Sequence, residues 1–377
     1  MRIAVVHSFY SSAFPSGENQ VVLDQVELLA SAGHEVKLFA RHTDEEQGAR
    51  LYKLRSALSA ATIAGPDPGP ELDDFAPDVV HVHNLFPNWG TAWLERHAHH
   101  LVVTQHNFRP MCAAATLFRD GHDCEDCLDK GAQEALRHRC YRDSLVATLP
   151  LAWASRDRGS HHPIVRHARR IVVLNERARA IFEQACPGRV SQVVNFVKPQ
   201  QPTAEVGQEW LAVARLTPEK GVLRLLGQMP EGERLAVIGS GSDEQEIAER
   251  CQASGGSWRF LGQRNREQVL EQMRAARGLV IPSLNSEGIP TVALEALSAG
   301  TPLLLSSAMT SAPELTRDGA GEIYGPADPA SLARAMTAVA EGGTARREAA
   351  RRLYEREYSP EVWAQRIDEV YREVVGR

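Results

Sequence analysis

Short apolar runs separated by helix-patterned segments recur along the whole chain, and no other feature of the sequence restricts its fold as much. "RIAVVHS" (2–8) is followed by the helical spacing of "ENQVVLDQVELLASAGH" (18–34), which stops at Gly33. "EVKLFAR" (35–41), "DVVHVHN" (78–84), "HLVVTQH" (100–106) and "RIVVLNE" (170–176) continue the pattern, each with a helix candidate behind it. Strands alternating with helices imply parallel βαβ units. "NFVKPQQPTAE" (195–205) breaks the rhythm and reads as a linker. The alternation then restarts at "EWLAVARL" (209–216), "RLAVIGSG" (234–241), "SWRFLGQ" (257–263), "GLVIPS" (278–283) and "TPLLLSS" (301–307). The expected fold class is therefore α/β, with two doubly wound halves. Open α/β sheets bind ligands outside the carboxyl ends of their strands. Chemistry is expected just after strands, with a cleft between the halves as its natural place.

Composition narrows the function classes. The chain has 377 residues, 43% hydrophobic and 24% charged, as an ordinary globular protein does. Two halves of that size bury cores without disulfides or metals. A formal charge of −6 argues against a dedicated nucleic-acid binder, whose footprint is basic. "MRIAVVHSFY" lacks the length of a signal peptide's apolar region, and no run reaches the ~18–20 apolar residues of a membrane span. The expectation is a cytoplasmic protein with reduced cysteines.

Four strand ends carry candidate chemistry. "SEGIPTVALEALSAGTP" (286–302) follows "GLVIPS", and Pro290 suits a first helical position. The amides of Thr291 and Val292 then favour an anion at the helix start. Glu287 flanks that point, and Glu295 lies within the helix. Carboxylates beside a phosphate suit the hydroxyls of a sugar nucleotide, and a solvent-exposed pair is the plainer reading. In "ARLTPEKG" (214–221), Arg215 and Lys220 bracket a strand-to-helix junction, where two cations neutralise a diphosphate; a solvated turn is the alternative. "PSGENQ" (15–20) places Gly17 at a helix start, and "VVTQHNFR" (102–109) places His106 at a strand end. A plain turn and a structural histidine compete with those two assignments. "IGSGSDEQE" (238–246) offers Gly239 and Gly241, but Glu244 stands where a dinucleotide fingerprint needs its third glycine, which disfavours hydride transfer.

In this order, each after a strand, these segments resemble the retaining glycosyltransferases of the GT-B fold that carry a Glu-x7-Glu motif, the family 4 or "group 1" type. The resemblance runs nearly full length: "EGIPTVALEALSAGTP" and "ARLTPEKG" are its most specific parts, with "DVVHVHN" and "HEVKLFA" in support. It implies two Rossmann-like domains facing each other across a cleft. The acceptor domain is expected at 1–198 with a cysteine-rich insertion at 112–140, and the donor domain at 199–356. A closing helix at 357–377, within "YSPEVWAQRIDEVYREVV", is expected to cross back to the first domain. It implies that Glu287 contacts the donor sugar and Glu295 the ribose. Arg215 and Lys220 match the diphosphate-binding pair, His106 a histidine near the reacting centre, and Gly17 a loop glycine facing the phosphates. Gly241, Gly288, Ile289, Thr291 and Val292 complete the expected donor site, and Arg109 and Asn84 are acceptor candidates. The implied reaction is transfer of a sugar from a nucleotide sugar, UDP being the carrier expected from relatives, to a hydroxyl or amine with retained configuration. The acceptor classes are a small molecule, a glycan or a lipid-linked group. No catalytic metal is expected, since two cations and a helix start stabilise the leaving group. A sugar-nucleotide 2-epimerase of the same fold, or a zinc-containing protein that binds a nucleotide sugar without catalysis, are the competing readings.

Two segments stand outside that resemblance. Cys112, Cys124, Cys127 and Cys140 crowd into residues 112–140, with Cys124 and Cys127 in a C-x-x-C turn and His122 and His138 nearby. Four thiolates at such spacing suit a closed structural zinc site; free thiols and disulfides are the alternatives. "ARLYKLRSAL" (49–58) puts Arg50, Lys53 and Arg55 on one side of a short helix and leucines on another. Such a helix either rests on anionic lipid as a peripheral contact or is simply solvated.

Overall fold

A computed structural model describes residues 1–10, 17–202, 205–285 and 288–376. They form two compact units: Met1–Arg119, Asp123–Asn195 and Trp363–Arg377 make the first, and Asp120–His122 with Phe196–Val362 make the second. The first unit carries the strands β1 (Arg2–Phe9), β2 (Glu35–His42), β3 (Val79–Asn84), β4 (Leu101–Gln105), β5 (Arg170–Val173) and β6 (Val190–Gln192). They are all parallel, in the order β2-β1-β3-β4-β5-β6. Strands β3 and β4 are buried at every position, as inner strands of a sheet covered on both faces must be. At the edge, β2 alternates in exposure instead.

Helices of the first unit include α1 (Gly17–Ser31), α2 (Tyr52–Ala60) and α3 (Leu145–Ala154). α1 ends where Gly33 takes φ +87°, a left-handed position that glycine adopts without strain. Ser144 starts α3 by accepting the Ala147 amide at 3.3 Å.

The second unit holds β7 (Glu209–Val213), β8 (Arg234–Ile238), β9 (Trp258–Gly262), β10 (Gly278–Ile281), β11 (Leu303–Ser306) and β12 (Gly321–Tyr324). The order is β9-β8-β7-β10-β11-β12, again all parallel. Its core gathers Trp210, Val237, Val280, Leu304 and Met336. In each sheet the strand order reverses once, between β1 and β3 and between β7 and β10. Loops leaving those strands diverge to opposite faces and open a crevice.

Helix α4 (Thr291–Ser298) follows β10, and the long α5 (Pro329–Glu357) is two helices joined at Gly343, which has φ +46°. The last helix, α6 (Pro360–Val375), buries Trp363, Ile367, Val370, Tyr371 and Val374 at helical spacing. Those residues count with the first unit. There the Tyr371 hydroxyl lies 2.6 Å from His81 Nδ1, and Arg170 pairs with Glu373 at 2.8 Å. The segment read as a linker is pinned to the second unit: Val197 O accepts from Tyr354 and Gln200 O from Arg351. Among the described residues no helix is long and apolar enough to cross a membrane.

Candidate functional site

In the second unit, three loops at the carboxyl edge of the sheet are knitted together. The loop after β7 receives the one after β8: Leu216 N donates to Ser240 O at 2.8 Å, and Asp243 N donates to Leu216 O at 2.9 Å. The loop after β10 joins them, because Leu284 N donates to Glu219 O at 2.9 Å. Two glycines permit this closeness. A Cβ on Gly241 would stand 2.3 Å from Leu216 O, and one on Gly221 2.2 Å from Pro282 O. No side chain larger than hydrogen fits either place.

These loops bring several expected donor residues to the switch point between β7 and β10. Arg215 is exposed just after β7, and Lys220 is half-buried at the end of a single 3₁₀ turn, Pro218–Lys220. Lys220 does not open a helix itself, since Gly221 intervenes at φ +71°. Gly241 lies in the loop after β8. Gly288 and Ile289 lead into α4, and Gly288 O accepts from Ser311 Oγ at 3.2 Å. Pro290 proves to be the residue before the helix, with ψ 135°, so the first turn is Thr291, Val292 and Ala293. Among the described residues no side chain caps that turn; Ala293 N donates to Pro290 O at 3.0 Å, and the amides of Thr291 and Val292 lie at the helix start. Glu287 lies outside the described residues.

Glu295 has a partner that the motif did not announce. Arg266, opening the helix after β9, brings Nε and Nη2 each to 3.1 Å from Glu295 Oε1. The Glu295 side chain is only 12% exposed, so the cation offsets the cost of placing a carboxylate there. Any ligand that reaches Glu295 shares it with Arg266. Nothing in the local sequence marks Arg266, because the pairing spans 29 residues of chain.

In the first unit the carboxyl ends of β1, β3 and β4 hold a stack of imidazoles. His83 Nδ1 lies 3.0 Å from His106 Nε2, and the His81 and His83 rings are 4.2 Å apart. His81 Nε2 reaches Thr104 Oγ1 at 2.8 Å, and His7 Nε2 reaches Asn19 Oδ1 at 3.1 Å. Burial, with mutual repulsion of the rings, lowers the pKa of His7 to about 4, His81 to about 3 and His83 well below its ordinary value. Burial alone takes His106 to about 4. At neutral pH all four are therefore uncharged, each offering one donor and one acceptor. Glu18, beside His7 and Asn84, has its pKa raised by burial.

One cavity gathers His106, expected near the reacting centre, and the acceptor candidates Asn84 and Arg109, together with His83, Gln105 and Thr91. Among the described residues His83 Nε2, Gln105 Nε2 and Thr91 Oγ1 are buried without a hydrogen-bond partner. Buried polar atoms are normally satisfied, so this wall suits a ligand rich in hydroxyls. Arg109 is already engaged: its guanidinium lies 4.5 Å from the Phe86 ring centroid and 5.5 Å from that of Tyr141, and Nη1 donates to Ala113 O. Asn84 Nδ2 donates to Tyr10 Oη at 3.3 Å while its Oδ1 accepts from Phe86 N. Gly17 is exposed at the start of α1. The period-two spacing of His81 and His83 in "DVVHVHN" was the available signal for the stack; His7 and Glu18 gave none.

All six cysteines are free thiols. Cys112, Cys124, Cys127 and Cys140 line one small cavity with Phe118 and Arg119. Burial pushes the Cys127 thiol up to about 12, and the three other sulfurs push in the same direction. The set of three metal-ligand atoms within 4.8 Å of one another among the described residues is Asp126, Glu134 and His138, not the cysteines. Those acids already hold cations, Asp126 with Arg119 and Lys130, and Glu134 with Arg137. His138 lies beside Glu134 at 3.5 Å, while His122 is exposed and contacts Asp120 O.

Two family models between them match residues 15–359. "Glycosyltransferase Family 4" covers residues 15–201 and "Glycosyl transferases group 1" covers 195–359. Among curated relatives, an uncharacterized glycosyltransferase of Methanocaldococcus jannaschii is 36% identical over 104 residues, 26% of this chain and 26% of that protein. The phosphatidyl-myo-inositol mannosyltransferase of Mycobacterium leprae is 33% identical over 131 residues, 32% of this chain and 34% of its own length. The chain thus spans less than half the length of the curated relatives it matches. Solved structures align nearly throughout. Sucrose-phosphate synthase from Thermosynechococcus elongatus superposes with TM-score 0.66 at 18% identity, covering 100% of this chain and 99% of that one. The Anabaena HepE protein in complex with UDP gives 0.60 at 16%, covering 98% and 99%. At such identities these structures speak for the fold, which is GT-B.

Proposed function

The chain belongs to the group 1 glycosyltransferases, and from that premise we propose that it moves a sugar from a nucleotide-sugar donor to a hydroxyl or amine acceptor with retained anomeric configuration. The observation that carries this reading is the knitted loop triplet of the second unit, which gathers Arg215, Lys220, Gly241 and the start of α4 at the switch point of one sheet. Arg215, Lys220 and the first-turn amides of Thr291 and Val292 stabilise negative charge that grows on the diphosphate as the glycosidic bond breaks. Ile289 and Gly288 shape the approach to those amides. Gly17, at the start of α1, is the residue of the first unit assigned to the phosphates. Glu287 orients the donor sugar, and Glu295, steadied by Arg266, takes the ribose. The departing diphosphate accepts the acceptor's proton on the same face, so no second carboxylate is required as a nucleophile. His106, neutral, donates or accepts a hydrogen bond at the reacting sugar, and Asn84 and Arg109 border the acceptor. UDP is the carrier favoured by the solved neighbour that holds it. Proton NMR of the first-formed product tests the stereochemistry: the anomeric coupling of the donor is expected to persist, and an inverted coupling overturns the retaining assignment. Altered sugar plus free nucleotide in the absence of any acceptor assigns the chain to 2-epimerisation instead.

The four-cysteine cavity is read as a structural zinc site that stiffens the segment following His106. Supporting it is the lining of one hollow by all four thiols; a metal would have to draw their sulfurs closer, since among the described residues no three of them lie within 4.8 Å of one another. No catalytic metal enters the reaction as proposed. Elemental analysis of purified protein is expected to return about one zinc per chain, and a content near zero removes the metal.

A further inference from the structure

Three residues that line the His106 cavity each keep a buried polar atom without a partner among the described residues: His83 Nε2, Gln105 Nε2 and Thr91 Oγ1. Each has given up water without a bond in return. The cavity offers about 40 Å³, room for roughly three water molecules. That suits a hydroxymethyl group or the diol edge of a sugar, not a whole ring. Among the described residues no carboxylate lines it, and its cation, Arg109, is held against Phe86 and Tyr141. An uncharged hydroxyl is the chemistry such a wall takes.

His83 connects that wall to His106. Its Nδ1 lies 3.0 Å from His106 Nε2, the two rings being 5.3 Å apart and tilted by 33°. Both rings are neutral, and a neutral imidazole has one protonated nitrogen and one bare one. A single hydrogen bond holds a single proton. Where that proton sits on His83, its Nε2 is bare and His106 is protonated at Nδ1. Where it sits on His106, the Nδ1 of His106 is bare and His83 carries its own proton at Nε2. The rings are thus locked to one tautomer, both Nδ1–H or both Nε2–H, and reversing one reverses the other. With Nε2 occupied, Nδ1 is the nitrogen that His106 has left for a substrate.

We infer that His83 is a positioning residue that reads an acceptor hydroxyl in the cavity and thereby sets which nitrogen of His106 carries the proton. The inference rests on the assignment of His106 to the reacting sugar. Gln105 Nε2 is a donor, so a hydroxyl bound there keeps its own proton to give. Donated to His83 Nε2, that hydroxyl fixes Nδ1–H on His83 and hence Nδ1–H on His106, which then meets the substrate as a donor. Interconversion of the two arrangements passes one proton across the shared bond. Water supplies a proton at one outer nitrogen and removes one at the other, so the pair stays neutral.

Proton–nitrogen correlation NMR of the full-length chain with isotope-labelled histidines tests it. His162 is the internal reference: its Nδ1 accepts from Ile164 N at 3.3 Å, which makes it Nε2–H. His83 and His106, identified by the signals that single substitutions remove, are expected to share one tautomer. Glycerol, as the hydroxyl probe, is expected to hold both at Nδ1–H. Opposed tautomers, an imidazolium at either ring at neutral pH, or both rings at Nε2–H in saturating glycerol overturn the inference. These spectra need no turnover, so their outcome stands apart from that of the transferase reading. Kinetics supply the second readout. His83→Leu removes both nitrogens, whereas His83→Asn keeps a polar atom near the place of Nδ1. The expected fall in kcat is about 10²-fold for Leu and about tenfold for Asn. The acceptor KM is expected to rise alike in both, since each lacks Nε2. Equal kcat in the two variants, with melting curves matching the parent's, overturns the positioning role. Should His83→Leu not fold, the spectra of the unaltered chain decide alone.

Discussion

Replacing Lys220 by Ala is expected to slow donor turnover by about 10²- to 10³-fold, the loss typical of removing one preorganised group from developing negative charge. Lys220 is not an adornment of a loose loop. It ends a 3₁₀ turn whose Glu219 carbonyl accepts from Leu284 N, so its side chain leaves from a fixed point beside the loop after β10. Because diphosphate charge is greater in the transition state than in the bound donor, the effect is expected in kcat more than in KM. Initial rates at saturating acceptor, with donor varied, separate the two. A melting curve matching the parent's excludes unfolding as the cause. A loss below about tenfold, ~1.4 kcal/mol of barrier, removes Lys220 from the mechanism. Combining it with Arg215→Ala is expected to cost less than the product of the single effects, since both cations address one charge.

The second large effect is loss of stability in mild acid. In the unfolded chain histidines titrate near 6.5. In the folded protein His7 and His106 titrate at about 4 and His81 at about 3, chiefly because burial disfavours the imidazolium. Between those values the unfolded state binds protons that the native state refuses, so stability falls as pH falls. The slope is about 1.4 kcal/mol per pH unit for each such histidine. With His83 added, the stack as a group removes several kcal/mol by pH 5, comparable with the whole stability of an ordinary domain. Glu18 works in the opposite sense: its raised pKa makes the folded state the better proton acceptor there, which offsets one histidine in part. Thermal melts from pH 7.5 to 4.5 are expected to show a steep fall in Tm below pH 6.5. A curve flat down to pH 5 is incompatible with neutral, buried rings.

Much of this architecture is written in the alternation of apolar runs, because parallel strands buried on both faces have no polar positions to hide them. The ten segments read as strands all became strands. Val190–Gln192 and Gly321–Tyr324 were not read, since short edge strands carry neither length nor period. In the loops of the second unit Gly221 and Gly241 stand where no larger side chain fits, whereas Pro290, expected at the first helical position, stands one residue before it. Long-range partnerships left no trace in local pattern. Arg266 with Glu295, His106 with His83 and Tyr371 with His81 arise only once the sheets have formed. The four thiols were noticed by spacing, yet that spacing says nothing of Asp126, Glu134 and His138 drawing together beside them.

The bond between His81 and Tyr371 joins residues 290 positions apart. Its consequence is temporal as well as spatial. During synthesis at about 5–20 residues per second, everything from Phe196 to Val362 has to emerge before α6 can reach β3. Until then His81 lacks the hydroxyl that α6 brings to it. A fragment ending at Asn195 has the same defect for good, because the hydroxyl that meets His81 lies 290 positions further along the chain.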